Sequence, residues 1–444
     1  MIGIVVFCAL CILLFIGKAV RVRVPLLQRL YLPSSLVGGI IGLVLVSVFR
    51  RWIPSDVLQA IGKTPGFLIN VVFATLFLGA AVPRLKRVVG VALPQLCLGQ
   101  ILAWGQYAVG LALAGFVFTR LYDVPAAFGN LLEIGFEGGP GTVGGMSESF
   151  VHFGWEDGVA LGYTVSTVGM ILGIVVGMAL IQWAYRRGIV RQVTTFEERR
   201  SHERRGLHLR RRRPSAGLQT VSCDSIDSLA WHVAVVGVAM AIGYGLRLLV
   251  PMKGFPLFPL CMIGGVILEM LAKLFHRDLF VDRVQMERIS GASLDFLLVA
   301  AVATIKLKAV LANWQPLLVL ILAGTVWSLG VIMFLAPRIF KEDWFERAIA
   351  EFGQALGVTA TGLMLLRTVD PENRTSAAMS FGYKQLLHEP FMGGGIWTAL
   401  AFTLVYQIGW WKVWLISLVM LLLWSAVACR LCRRSDADCA GATK

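Results

Sequence analysis

Apolar residues in this chain arrive in uninterrupted blocks rather than at amphipathic intervals. The stretches 2–16, 36–49, 88–117, 164–181 and 413–428 hold no charged residue at all. A helix crossing the hydrocarbon core of a bilayer needs about 20 mostly apolar residues, and the pattern supplies ten or more such runs. Helical spans are expected near 2–20, 33–49, 66–83, 88–118 and 158–184 in the first half. In the second half they are expected near 229–249, 257–275, 293–306, 310–336 and 376–407, with one more over 411–429. The pattern predicts an all-α polytopic membrane protein.

The chain also resembles itself. Leu32-Pro-Ser-Ser-Leu-Val-Gly-Gly-Ile40 opens one apolar block and Phe258-Pro-Leu-Cys-Met-Ile-Gly-Gly-Val266 opens another. LFLGAAVPRLKRV at 76–88 is similar to LVAAVATIKLKAV at 298–310, and GGPGTVGGM at 138–146 aligns with GVTATGLML at 357–365. Three matches in the same order indicate an internal duplication. Charge then orients the two copies, because short cytoplasmic loops are rich in Lys and Arg. Eleven arginines against three glutamates lie in 186–213, which places that loop in the cytoplasm. If 126–149 enters and leaves on one side, Lys18, Arg21, Arg23 and Arg29 also fall inside, as does the 84–87 loop. Only Arg50 and Arg51 are then misplaced. The N-terminus is expected outside and the C-terminus in the cytoplasm.

The second half starts on the opposite side from the first, so the repeats are expected to be inverted. Residues 1–185 and 229–408 form two inverted-topology repeats of five transmembrane helices, each with a re-entrant or broken segment. Residues 186–228 form a basic cytoplasmic loop, and 409–444 an extra C-terminal span with a cytoplasmic tail. Inverted repeats with interrupted segments at matching positions point to a secondary transporter.

Composition sharpens this without changing it. Apolar residues make up 57% and charged residues 15%, with mean hydropathy +0.74, which excludes an ordinary soluble domain. The net charge of +15 is concentrated in the 186–213 loop, so it reads as a lipid-facing cytoplasmic segment and not as a nucleic-acid surface. The pairs Cys8/Cys11 and Cys429/Cys432 sit in or at the end of apolar spans; no Cys/His zinc pattern and no structural disulfide is expected. Residues 2–16 are followed by Lys18, Arg21 and Arg23 rather than a small-residue cleavage site, so no cleavable leader is expected.

The candidate chemistry lies where polar residues interrupt these blocks. GFEGGPGTVGGM at 135–146 holds six glycines, the carboxylate of Glu137 and the hydroxyl of Thr142. Non-helical backbone inside a bilayer is tolerated only where protein or a wet cavity satisfies its polar groups. The run is therefore expected to be a functional break joining two half-helices, whose N-terminal ends attract a carboxylate. Backbone carbonyls around Gly138, Gly139 and Gly141, with the Thr142 hydroxyl, are expected to serve as hard donors suited to Na⁺. Thr359 and Thr361 in Gly357-Val-Thr-Ala-Thr-Gly362 offer the same chemistry from the matching segment. Glu389 precedes a proline and three glycines in HEPFMGGG, which suggests another interrupted helix. The expected substrate-binding set is Glu137, Gly138, Gly139, Gly141, Thr142, Thr361 and Glu389; the expected Na⁺ set is Gly139, Thr142, Thr359 and Thr361. Gly38/Gly39 and Gly264/Gly265 read instead as close-packing seams, and Asp295, at the start of an apolar run, reads equally as an ionisable group inside a span or as a residue at a solvated helix end. No Gly-Lys-Ser/Thr follows the glycine run, so a nucleotide-phosphate loop is excluded.

In order along the chain, LPSSLVGGIIG, GGPGTVGGM, LDFLLVAAVATIKL, GVTATG and EPFMGGG resemble the bacterial sodium/glutamate symporter family, over about 1–405. The resemblance implies Na⁺-coupled uptake of dicarboxylic amino acids across a bacterial inner membrane. It also implies ten spans with two re-entrant segments, in a homodimer whose core domain moves as an elevator against a scaffold. Na⁺ chemistry carries over onto Gly138, Gly139, Gly141, Thr142, Thr359 and Thr361. Three positions depart from the family: GGHGT is here Gly138-Gly-Pro-Gly-Thr142, Ala-Thr-Pro-Thr is Val358-Thr-Ala-Thr361, and a late acidic residue falls on Thr398. The functional expectation is Na⁺-coupled symport of a small carboxylate or amino acid such as glutamate. A proton-coupled carboxylate transporter using Glu137 or Glu389, or a membrane sensor with the arginine-rich loop as its output, stands as the alternative. No Ser/His, Cys/His or metal-ligand constellation marks an enzyme.

Overall fold

The computed structural model describes residues 1–80, 85–190, 205–207, 215–275, 279–340 and 342–442. Most of the arginine-rich segment, and Arg84, lie outside the described residues, and with them the loop assignments made for 191–204 and 208–214. Every regular element among the described residues is a helix, the one open structure that satisfies all its backbone groups without a neighbouring segment.

Among the described residues, eight helices are long and apolar enough to cross a membrane: Ile2–Arg23, Ser55–Thr75, Ala92–Leu121, Asp157–Arg186, Ser228–Leu249, Trp314–Ile339, Trp344–Val369 and Trp410–Cys432. Ser34–Phe49, Ala126–Phe136 and Ile396–Ile408 are shorter apolar helices. Two expected spans have different bounds. The one placed at 66–83 runs instead over Ser55–Thr75, because Pro65 is carried inside the helix. A proline there removes one backbone hydrogen bond, and the helix continues past it. The span placed at 293–306 begins at Arg283, where the Asp282 side chain accepts from Gln285 N and caps the helix. Asp295 is thus inside that helix, not at its end. With Lys18, Arg21, Leu14, Pro33 and Ser34 it lines a cavity of about 410 Å³.

The Trp344–Val369 helix is interrupted at its centre. Gly357 has φ −153°, ψ 39°, and Val358 has φ 63°, ψ 169°. In a straight helix residues nine apart are roughly 13.5 Å apart. Here a Cβ placed on Gly353 would lie 2.6 Å from Gly362 Cα, and one on Gly362 would lie 2.3 Å from Ala350 O. The chain therefore folds back at the break, and its two arms pack against each other through these glycines.

The chain divides into two compact units, each drawing on both halves of the sequence. One comprises Met1–Val82, Pro140–Val159 and Arg199–Lys306. Its helices pack through glycine seams, as expected for Gly38/Gly39 and Gly264/Gly265. A Cβ on Gly38 would lie 2.5 Å from Leu13 O, one on Gly39 2.7 Å from Val302 Cβ, and one on Gly264 2.1 Å from Ala239 O. The other unit comprises Pro83–Gly139, Ala160–Glu198 and Leu307–Lys444. It contains the Leu85–Ala112 helix, which continues through a π-helical turn at Leu113–Phe118, and the Trp314–Gly330 helix, which continues through another at Val331–Leu335. In each half the π-turn precedes the interrupted segment.

Candidate functional site

The glycine-rich stretch breaks the helix over a shorter distance than the twelve-residue run suggests. Leu131–Phe136 is helical, and the amides of Glu137 and Gly138 both donate to the Glu133 carbonyl. Gly139 then turns to φ +70°, and Gly139–Gly145 is helical again despite its glycines. Burial supplies the reason: seen alone each glycine disfavours helix by about 0.5–1 kcal/mol, but in a helix deep in protein its backbone groups have no water to turn to.

The two breaks meet. A Cβ on Gly139 would lie 2.2 Å from Val358 Cγ1, so only a glycine fits there. These residues occupy matching positions in the alignment of 138–146 with 357–365, and both carry positive φ. Val358 is the more costly: a β-branched residue near φ 63°, ψ 169° occupies a region populated almost only by glycine, at about 1–3 kcal/mol. Such strain persists only where surrounding structure enforces it.

A buried polar network surrounds the crossing. Glu133 and Glu137, one helical turn apart, present two carboxylates that are treated very differently. Glu133 is saturated: its Oε2 accepts from Tyr107 OH at 2.5 Å, and its Oε1 from Gly393 N at 2.8 Å and Thr398 Oγ1 at 2.9 Å. Thr398 thus lies against a carboxylate brought from another helix. Glu137 takes both its donors on one oxygen. His388 Nε2 lies 2.5 Å and Gln354 Nε2 3.3 Å from its Oε1, whereas its buried Oε2 has no hydrogen-bond partner.

The donor order along this network is fixed at its ends, because Trp104 and Lys384 can only donate and the Glu137 carboxylate can only accept. Trp104 Nε1 donates to Gln100 Oε1 at 2.9 Å, which leaves Gln100 Nε2 to donate to His388 Nδ1 at 3.1 Å. His388 therefore carries its proton on Nε2 and donates it to Glu137. From the other side, Lys384 Nζ donates to Gln354 Oε1 at 3.0 Å and pairs with Glu351 Oε2 at 3.1 Å. Gln95 Nε2 closes the chain on Glu351 Oε1 at 2.9 Å. Two donor chains thus converge on Glu137 Oε1 and leave Oε2 to whatever else occupies the site. Ser166 Oγ, also buried and without a partner, lies 4.0 Å from the Gly139 Cβ position.

Of the residues expected from sequence, Glu137, Gly138, Gly139, Thr359, Thr361 and Glu389 fall in this unit. Thr359 Oγ1 donates to Glu389 Oε1 at 2.8 Å and accepts from Gln385 Nε2, so its hydroxyl is engaged on both sides. Thr361 Oγ1 lies 2.9 Å from a Cβ position on Gly357. Gly141 and Thr142 belong to the other unit, where Gly141 packs on Ile69 and Leu294. HEPFMGGG does interrupt a helix: Ala377–His388 ends there and Ile396–Ile408 begins beyond it, with Gly393 and Gly394 at positive φ. Tyr107, Gln100, Trp104, Glu351, Gln354, Lys384 and His388 were not anticipated. Their signal was helical spacing inside apolar spans, Glu351/Gln354 at i,i+3 and Lys384/His388 at i,i+4, which puts each pair on one helix face.

Helices of membrane-crossing length and apolarity, in a chain whose described elements are all helical, define a polytopic membrane protein. The sodium/glutamate symporter family model matches residues 3–374, and the chain belongs to that family, which is a family of transporters. The matched part ends before Ala377–His388, so Lys384, His388 and Glu389 lie beyond it. No curated protein matches the chain.

Proposed function

We propose that the chain is a secondary active transporter that couples Na⁺ to symport of a small carboxylate or amino acid such as glutamate. The observation that carries this reading is the unpartnered, buried Glu137 Oε2 at the point where the two breaks meet. A buried carboxylate oxygen without a donor is costly, and in a membrane transporter a cation or a substrate ammonium offsets that cost. Glu137 Oε2 and Ser166 Oγ are the hard oxygens we assign to this role, with Gly138 and Gly139 shaping the turn beside them, Thr361 just past the second break and Glu389 at the third. For Gly141 and Thr142 the sequence alignment alone supports a role, and Thr359 joins the Na⁺ set only if Gln385 releases its hydroxyl. The paired positive-φ positions and the paired π-turns support two inverted repeats with re-entrant segments. Family membership supports a homodimer working by an elevator-type cycle in the bacterial inner membrane, and the positive-inside charge bias supports an N-terminus outside.

Proteoliposomes bearing imposed Na⁺ or H⁺ gradients, assayed with a panel of radiolabelled carboxylates and amino acids, test the reading. Na⁺-driven accumulation of at least one panel member is expected. Accumulation driven by H⁺ alone would replace Na⁺ by the proton as coupling ion, and the absence of any gradient-driven uptake would favour the sensor.

A further inference from the structure

The transport reading uses Glu137 and the breaks; it leaves unexplained a complete ion pair beside them. The side chains of Lys384 and Glu351 are 0% and 1% exposed. A charge at the centre of a membrane helix costs about 2.5–3.5 kcal/mol on insertion scales. A buried pair is also often no more stabilising than apolar residues of the same volume. Fold stability alone is therefore a poor reason to keep it.

Its surroundings are shaped for an ammonium. The Nζ has three protons: one points to Glu351 Oε2 at 3.1 Å, one to Gln354 Oε1 at 3.0 Å, and the third side lies 5.7 Å from the centre of the Phe381 ring. Gly99, in the middle of the Leu85–Ala112 helix, leaves the space the group occupies. A Cβ there would fall 2.4 Å from Lys384 Cε, 2.8 Å from Nζ and 2.9 Å from Glu351 Oε2. The position is coupled to the binding site through one amide: the Gln354 side chain receives Lys384 on its oxygen and presents its nitrogen to Glu137. Glu351 Oε2, Gln354 Oε1 and the Phe381 face are also groups that an alkali cation can contact.

The geometry points to Lys384 as a built-in cation: its ammonium fills, permanently and at no cost in bound ion, a monovalent-cation position next to the transport site. It holds Gln354 in the orientation that loads both donors onto one oxygen of Glu137. This rests on the transporter reading. It predicts that removing the ammonium opens a site which a free alkali ion takes.

The test uses the purified full-length protein in detergent: wild type, Lys384→Met, and the Glu351→Gln/Lys384→Met double variant. Bound ²²Na⁺ is counted at saturation, and melting temperature is followed from choline chloride into NaCl. Lys384→Met is expected to bind one more Na⁺ per chain than wild type. It should melt several degrees lower in choline and regain most of that in NaCl, since an ion bound only to the folded state stabilises it. The double variant, lacking the carboxylate, should lose the additional ion. An unchanged Na⁺ count in Lys384→Met overturns the proposal, and so does failure to recover folded Lys384→Met even in high NaCl, because Na⁺ would then be unable to replace the ammonium. The count needs no uptake, so a wild type that transports nothing would refute the transporter reading while the count still decides the role of Lys384.

Discussion

Replacing Gly139 with alanine places a methyl group where the two breaks meet. Two separate penalties follow. At φ +70° a residue with a Cβ costs about 1–2 kcal/mol. The new carbon would also stand 2.2 Å from Val358 Cγ1, where carbon atoms normally sit about 3.5–4.0 Å apart. Val358 cannot simply turn away, since a β-branched side chain is stiff at χ1 and its backbone is itself in a glycine-only region. Overpacking of this kind costs roughly 1–3 kcal/mol, so the sum is about 2–5 kcal/mol. The two terms separate in a double-mutant cycle. Val358→Ala deletes the atom that is struck, so Gly139→Ala/Val358→Ala should recover the overlap term and retain the φ term. The assay is the melting temperature of each purified variant by intrinsic fluorescence, together with uptake in proteoliposomes. We expect a lower melting temperature and strongly reduced uptake in Gly139→Ala. The double variant should lie above the sum of the singles by the equivalent of about 1–3 kcal/mol. Additive effects, within about 0.5 kcal/mol, would mean that Gly139 and Val358 do not touch.

Three further outcomes distinguish the roles assigned around the crossing. Glu133→Gln must set its NH₂ either against the Gly393 amide, which can only donate, or against Tyr107, whose hydroxyl must then turn from donor to acceptor, and should cost about 1–3 kcal/mol of stability. Glu137→Gln can turn its oxygen to His388 and Gln354 and its NH₂ to the vacant side, so it should fold normally and lose ion-driven uptake; equal melting losses in the two variants would contradict this contrast. Trp104→Phe removes the donor that orders Gln100, but the Glu137 carboxylate can only accept and still holds the His388 proton on Nε2, so ¹⁵N spectra of labelled histidine should show the Nε2-protonated form in wild type and variant alike, while a tautomer mixture in the variant would show that Trp104 alone sets the order. At the end of the Trp344–Val369 helix, burial raises the Asp370 carboxyl pKa, but hydrogen bonds from Thr375 Oγ1 and the amides of Thr375 and Arg374 outweigh it and hold the group below the ordinary carboxylate range. A depressed folded-state pKa stabilises above the unfolded value and is lost as pH falls through the folded one. Asp370→Asn should therefore melt below wild type near neutral pH, by about 1–2 kcal/mol, and the gap should close on acidification; a gap independent of pH would refute the assignment.

The breaks themselves were legible in the sequence. Glycine density at 138–146, its alignment with 357–365, and a carboxylate beside each of two glycine runs marked Glu137, Gly139 and Glu389 before any fold was considered. The seam glycines were legible for the same reason, since a small residue recurring in an apolar helix has few uses besides close packing. The bounds of Ser55–Thr75 were not, because Pro65 reads as a stop locally and is overridden by burial. Nor could the length of the first break be read: a glycine's preference is set by whether its backbone meets water or protein, and the sequence does not state which.

By itself, then, the sequence determined that the chain is helical and polytopic, because a bilayer leaves an apolar chain little choice but helix, and it marked where those helices are interrupted. Tertiary structure alone decided which polar groups meet. Gln95 reaches Glu351, and His388 reaches Glu137, across separations of 256 and 251 residues. Helical spacing can show that Lys384 and His388 share a face, but a face does not name its partner. Which carboxylate is saturated and which keeps one oxygen free depends on distances between helices far apart in the chain, and those are fixed by packing.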